Sequence, residues 1–69
     1  MKYQVTWIDR NTGEDHAIEF DDVDAAKRDA NTKSNLHCSA FVMAIDDGEV
    51  VGSLSYNFGR RGEVEGDFE

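Results

Sequence analysis

Residues 40–58, AFVMAIDDGEVVGSLSYNF, decide the fold, because they contain the clearest β-hairpin signal in the chain. The Asp47-Gly48 step near their centre favours a type I′ turn, which joins two antiparallel strands. Before the turn, every second residue is large and apolar, and we expect this set to face the core: Phe41, Met43 and Ile45. After the turn, a strand over about residues 50–58 places one alternating set on a single face: Gly52, Leu54, Tyr56 and Phe58.

A second hairpin is predicted near the start of the chain. Tyr3, Val5 and Trp7 alternate with polar residues, which is the period-two pattern of a half-buried strand. The sequence RNTG at residues 10–13 supplies residues typical of a turn. The strand after this turn has its inward alternates at His16, Ile18 and Phe20.

A helix is predicted between the two hairpins, over about residues 23–32. Asp21 or Asp22 can cap its first turn by accepting hydrogen bonds from free backbone N–H groups, and Asp24 suits the positive end of the helix dipole. Small alanines on the inner side let the helix lie close to a sheet. The polar residues 31–35 are expected to form a loop.

These elements predict a single domain over residues 1–69 with an α+β fold of ββαββ order. One helix packs on one face of a four- to five-stranded antiparallel sheet. After a turn at residues 59–62, residues 63–69 (EVEGDFE) form either an extra edge strand or a flexible acidic tail. The opposite sheet face is expected to carry small or polar side chains, and to be solvated or a contact surface: Thr6, Ala17, Ala40, Ala44, Ser53, Ser55 and Asn57.

The charge balance limits the classes of partner. Fifteen acidic residues against seven basic ones give a net charge of −8, which repels nucleic acid and anionic membranes and attracts basic protein surfaces. The Arg60-Arg61 pair is too small to reverse this balance. The single cysteine and the lack of a long apolar run or a signal sequence predict a cytoplasmic protein.

The sequence predicts neither a catalytic site nor a metal site. His37 and Cys38 are adjacent, and adjacent residues on a strand point to opposite faces, so they cannot act as a pair. Two histidines and one cysteine are too few for a zinc site. The segment Asp46-Asp47-Gly48 lacks the upstream oxygen ligands of a calcium loop. We expect a protein that is not an enzyme and needs no cofactor.

The acidic residues are the remaining functional signal. Alternate side chains on a strand stand about 6.6–6.8 Å apart, so an extended segment over residues 63–69 would present a regular row of carboxylates. DNA carries one phosphate per about 3.4 Å of axis on each strand, which is a similar scale. The predicted partner-binding residues are this row and two clusters that extend it if they lie on the same side: Glu63, Glu65 and Asp67; Asp46, Asp47 and Glu49; Asp21, Asp22 and Asp24. The alternatives are protection of a sheet edge, a solvated tail, or acidity that serves only solubility.

The helix sequence DAAKRDA at residues 24–30, followed by FVMAI at 41–45 and the Asp-Gly turn, resembles small phage and prophage proteins. Over about residues 1–58 the chain is similar in size, element order and helix motif to phage anti-CRISPR proteins that inhibit type I surveillance complexes. The resemblance implies direct binding to subunits of Cascade, and some acidic members of that group compete with DNA by imitating its charge. Lys27 and Arg28 match the motif, but the excess of Asp and Glu departs from the less acidic members.

The leading hypothesis is therefore an acidic phage inhibitor that binds a basic, nucleic-acid-binding host protein, with a Cascade subunit as the expected partner. It would block target DNA binding by DNA mimicry or steric competition, without binding nucleic acid or membranes itself, and a monomer is favoured over a dimer. The alternative is a small structural or protein-interaction module, homodimeric through its open sheet face. A small enzyme or a metal-regulated switch is the third hypothesis.

Overall fold

The computed structural model of this protein describes residues 1–35, residues 37–66 and Phe68. A five-stranded antiparallel sheet of order β2-β1-β3-β4-β5 packs one helix on one face, which confirms the predicted α+β fold with an extra edge strand. The elements in chain order are β1 (Lys2–Asp9), β2 (Asp15–Phe20), α1 (Val23–Lys33), β3 (Cys38–Asp46), β4 (Glu49–Asn57) and β5 (Arg60–Gly66).

The helix α1 starts where the sequence predicts and ends slightly later. Asp22 is the N-cap, and its carboxylate accepts a hydrogen bond from the backbone N–H of Ala25 at 3.2 Å. The predicted loop at residues 31–33 is wrong, because the helix continues to Lys33, whose ammonium group lies 3.3 Å from the Asp29 carboxylate one turn earlier. Ala26 and Ala30 are fully buried, so the helix packs on the sheet through its smallest side chains.

A row of cross-strand partners forms the centre of the core. Val5 pairs with Val42, and Val42 pairs with Leu54. These three are the largest fully buried side chains, and each contributes about 1.5–3 kcal/mol through the apolar surface that it removes from water. Ile18 on β2 and Val64 on β5 extend the row to the two sheet edges, where both side chains are exposed.

The prediction of which β3 side chains face the core is wrong. Its inward side chains are Ala40, Val42 and Ala44, which are buried, whereas Phe41, Met43 and Ile45 lie on the face away from α1 and are only half-buried. The pairing shifts between Ala44 and Ile45: Ile45 pairs with Val50, but Ala44 pairs with Gly52. Val51 is thus an extra residue on β4. Because side chains alternate, this one-residue bulge reverses the faces of β3 relative to those of β4.

Both hairpin turns beyond the helix have two successive residues with positive φ. Asp47 and Gly48 have φ of 52° and 83°, which confirms the predicted type I′ turn. The turn between β4 and β5 uses Phe58 and Gly59 instead of residues 59–62, with φ of 54° and 72°. Phe58 therefore does not belong to the inner face of β4. It is 60% exposed, and the Arg10 guanidinium lies 4.6 Å from the centre of its ring.

Beyond β5, Phe68 returns to the core. It is 2% exposed, its ring meets that of Tyr3 edge-on, and the Lys27 ammonium group lies 5.5 Å from its ring centre. The chain thereby covers the end of the core at which β1 begins. The described molecule has a radius of gyration of 11.2 Å.

Candidate functional site

Two of the predicted acidic clusters lie at the same end of the sheet. Tyr3 near the start of β1 pairs with Phe20 at the end of β2, and Lys2 pairs with Ile45 at the end of β3. The connection from β2 to α1 and the turn from β3 to β4 therefore lie at the same end of the sheet, with the start of β1 between them. We call the carboxylates in and next to these two connections the acidic end: Asp21, Asp22, Asp24, Asp46, Asp47 and Glu49.

Glu63 and Glu65 lie on the edge strand β5, two residues apart, and we call them the β5 pair. Glu65 pairs with Ser53, whose side chain is on the sheet face away from α1, hereafter the open face. The β5 pair, Phe41, Ser53 and Ser55 line one shallow depression of about 210 Å³ on that face. The predicted row of alternating carboxylates is therefore present for its first two members, and Asp67 lies outside the described residues.

The acidic residues differ in how far neighbouring groups neutralise them. The Lys2 ammonium group lies 2.5 Å from the Asp21 carboxylate; this hydrogen bond and ion pair lower the pKa of Asp21 and raise the pKa of Lys2. The Asp22 carboxylate is used as the helix cap. In the described part of the chain, a larger set forms no side-chain hydrogen bond or ion pair: Asp15, Glu19, Asp24, Asp46, Asp47, Glu49, Glu63 and Glu65.

The other end of the sheet carries basic and aromatic groups. Arg60 pairs with Asn57 at the end of β4, and the Arg10 guanidinium donates to Ser39 Oγ at 3.1 Å and to the Asn35 carbonyl at 3.0 Å. The His37 ring lies nearby, 3.3 Å from the Asn11 amide nitrogen. This end of the sheet thus carries cations beside the carboxylates Glu14 and Asp15, whereas the Lys2–Asp21 ion pair lies at the acidic end. The remaining carboxylates of the acidic end have no described ion-pair partner, which makes the local potential negative.

The open face carries the apolar residues of β3 that the sequence pattern predicts for the core. Phe41, Met43 and Ile45 follow one another along the central strand β3, and Val50 beside Ile45 is 58% exposed. Rows across this face place polar or acidic residues outside the apolar centre: Met43 lies between Gln4 and Ser53, and Glu19 and Glu65 occupy the two edges of the same row. The expected face of small and polar residues is therefore an apolar strip with acidic borders.

Groups suited to metal binding are not brought together in the described residues. Residues 1–35, 37–66 and Phe68 contain no cluster of three or more His, Cys, Asp or Glu side chains that could hold a metal ion. Cys38 is a half-buried free thiol at the start of β3. Among the described residues, no helix has the length and apolar character required to cross a bilayer.

No protein-family model matches the chain, and comparisons with curated proteins and with solved structures find no match. Function must be inferred from the surface of this chain itself.

Proposed function

We propose that this protein is a non-enzymatic inhibitor that binds a basic, nucleic-acid-handling protein through its acidic end and the β5 pair. The group of inhibitors that its helix and hairpin sequences resemble directs the proposal further: a phage-encoded anti-CRISPR protein that acts in the bacterial cytoplasm on a type I surveillance complex. The observation that carries the proposal is a group of five carboxylates on the β3–β4 turn and β5 that have no described side-chain partner: Asp46, Asp47, Glu49, Glu63 and Glu65.

The mechanism is competition for a groove that is lined by Lys and Arg side chains. Such a groove holds DNA phosphates, and fixed carboxylates can accept the same charge-assisted hydrogen bonds. The type I′ geometry fixes the backbone of the acidic turn at Asp46 and Asp47, so little backbone freedom is lost on binding. Electrostatic steering would make association fast at low salt and slow at high salt.

The decisive experiment measures displacement of a fluorescent target duplex from a purified type I surveillance complex. We expect the protein to displace the duplex at about 50 mM salt and much less at about 300 mM salt. The double variant D46N/D47N should displace it weakly. The double variant E14Q/D15N removes the same charge at the other end of the sheet and should displace it nearly as well as the unchanged protein.

Two results would refute different parts of the proposal. If the unchanged protein fails to displace the duplex at any concentration, the type I complex is not the target. If D46N/D47N and E14Q/D15N inhibit equally well, the acidic end does not supply the contacts, and inhibition depends on net charge or on another surface.

A second candidate function is supported by a separate observation, the apolar strip of Phe41, Met43 and Ile45 on the open face. Contiguous apolar residues on an uncovered sheet face mark interaction surfaces, so the protein could be a homodimeric interaction module whose acidity serves solubility. Sedimentation at several protein concentrations distinguishes the two functions. A tight dimer that Met43→Ser dissociates would favour the module, whereas a monomer at all concentrations would favour the inhibitor.

A further inference from the structure

We propose that the open face beside β5 is the docking surface for an arginine side chain of the partner. This inference rests on the proposed function, which it deepens by naming the partner residue and the place where it binds. The pocket is the depression lined by Phe41, Ser53, Ser55, Glu63 and Glu65.

The depression exists because of the β4 bulge and the small residues around it. The shift at Val51 turns Phe41 to the open face, where it lies between Thr6 and Ser55 across the strands. Ser53 and Ser55 leave space on its β5 side, and the Ser55 hydroxyl is held by a hydrogen bond from the Glu63 backbone N–H at 3.0 Å. The neighbouring Gly62 approaches Ser55 so closely that a Cβ atom there would lie 2.4 Å from Ser55 Oγ. β5 therefore lies tight against β4, and its backbone places the β5 pair along one border of the depression.

The chemical groups that line the depression favour the binding of a cation. Two carboxylates without described partners stand beside an aromatic ring and two hydroxyl groups. An arginine guanidinium is planar, offers five N–H donors to the oxygens of Glu63 and Glu65, and stacks on an aromatic ring more readily than an ammonium group does. The aliphatic stem of the same arginine can cover the apolar atoms of Phe41.

Charge complementarity also decides between two occupants of the face. A second copy of this chain would bring a net charge of −8 against another −8, whereas an arginine-bearing surface neutralises the β5 pair. The acidic residues border the apolar strip on both sides, with Glu19 on β2 and Glu65 on β5. This arrangement fits a partner that is basic around an apolar centre.

The test uses the full chain and two synthetic probes of equal charge, hexa-arginine and hexa-lysine. Their affinities are measured by NMR titration, which also locates the contact from the backbone amide shifts. We expect hexa-arginine to bind about fivefold more tightly than hexa-lysine. The largest shifts should be at Phe41, Ser55, Glu63 and Glu65.

Three variants separate the depression from the acidic end. E63Q/E65Q should abolish the preference for arginine and the shifts on the open face. D46N/D47N changes the net charge by the same amount as E63Q/E65Q. It should weaken the binding of both peptides equally, and the preference for hexa-arginine should remain. Phe41→Leu keeps the site apolar but removes the ring, so hexa-arginine should lose its advantage while hexa-lysine binds as before.

Equal affinities for the two peptides, or equal effects of the two double variants, would overturn the inference. So would a dimer in sedimentation whose interface protects Phe41. The peptides do not depend on the identity of the host complex. If the protein prefers hexa-arginine but fails to displace DNA, the inferred arginine site would stand and only the proposed target would be refuted.

Discussion

Phe68, two residues beyond the end of β5, packs its ring edge-on against Tyr3 on β1, with the ring centres 6.1 Å apart and the planes at 70°. The contact joins the two ends of the chain across the sheet. Phe68 is 2% exposed and is one of the few large side chains in a core otherwise rich in alanine.

Replacing Phe68 with alanine should therefore be strongly destabilising. We expect a loss of about 3–5 kcal/mol, the range for removing a buried phenylalanine, which is a large part of the stability of a 69-residue domain. Urea denaturation monitored by circular dichroism measures this loss of stability. Phe58→Ala is the matched control. Phe58 is 60% exposed, so this variant should lose less than about 1 kcal/mol of stability. Equal midpoints for the two variants would show that Phe68 is not part of the core.

Gly66 and Gly48 provide a second pair of stability measurements. Both have positive φ, 67° and 83°, but a Cβ atom on Gly48 would meet nothing within 4 Å, whereas one on Gly66 would lie 2.3 Å from the Val51 carbonyl oxygen. Gly48→Ala should cost about 1–2 kcal/mol through backbone strain alone. Gly66→Ala adds overpacking and should cost about 2–5 kcal/mol. Finding Gly48→Ala to be the worse of the two would contradict the close approach of β5 to the bulge.

The bulge also explains which parts of the fold the sequence could predict. The type I′ turn at Asp47-Gly48 is encoded by two adjacent residues, so the sequence alone predicts it correctly. If the register set by this turn continued without a bulge, Phe41 would pair with Leu54 and both side chains would face the core. The extra residue Val51 pairs Val42 with Leu54 instead. No alternation reveals this shift, because both faces of the central strand β3 are apolar.

The candidate site was predictable in its residues but not in its arrangement. The charge runs around Asp22, Asp47 and Glu63 are visible in the sequence. That the first two lie together depends on β1 being placed between β2 and β3, which is long-range pairing. The position of Phe41 beside the β5 pair could not be predicted, since it depends on both the strand order and the bulge.

Asp22 has a structural role that must be distinguished from binding. Its carboxylate caps α1, so Asp22→Ala should cost about 1 kcal/mol, while Asp22→Ser should retain most of the stability. Thermal denaturation of the two variants measures this difference. Asp24→Ala is the control for a first-turn acid whose carboxylate does not cap the helix, and it should lose only a few tenths of a kcal/mol. If Asp22→Ser were as unstable as Asp22→Ala, hydrogen bonding at the cap would not be the cause.

The Lys2–Asp21 pair should make a small pH-dependent contribution to stability. The lowered pKa of Asp21 means that its contribution is present above 3.8, its ordinary value, and is lost as the pH falls through the folded-state value. The raised pKa of Lys2 means that its contribution is present below 10.5 and is lost as the pH rises above that value. Comparing the urea midpoint of Asp21→Asn with that of the unchanged protein should show a difference at about pH 7 that shrinks below about pH 4. A difference of the same size at about pH 3 would exclude the ion pair as its source.

Neutralising three carboxylates of the acidic end together with Glu65 of the β5 pair should leave the fold intact and even stabilise it. The variant D46N/D47N/E49Q/E65Q reduces the net charge from −8 to about −4, and its four positions have no described side-chain partner to lose. The D47N change suits the positive φ at this turn position, because asparagine adopts the left-handed region readily. We expect a stability within about 0.5 kcal/mol of the unchanged protein or above it, since mutual repulsion is reduced.

The salt dependence of this variant tests the same repulsion. Melting temperatures measured between about 20 and about 500 mM NaCl should rise steeply for the unchanged protein and less for the variant, because salt screens the interaction between like charges. A variant that melts well below the unchanged protein at every salt concentration would show that these carboxylates support the fold. Its loss of binding could not then be attributed to charge.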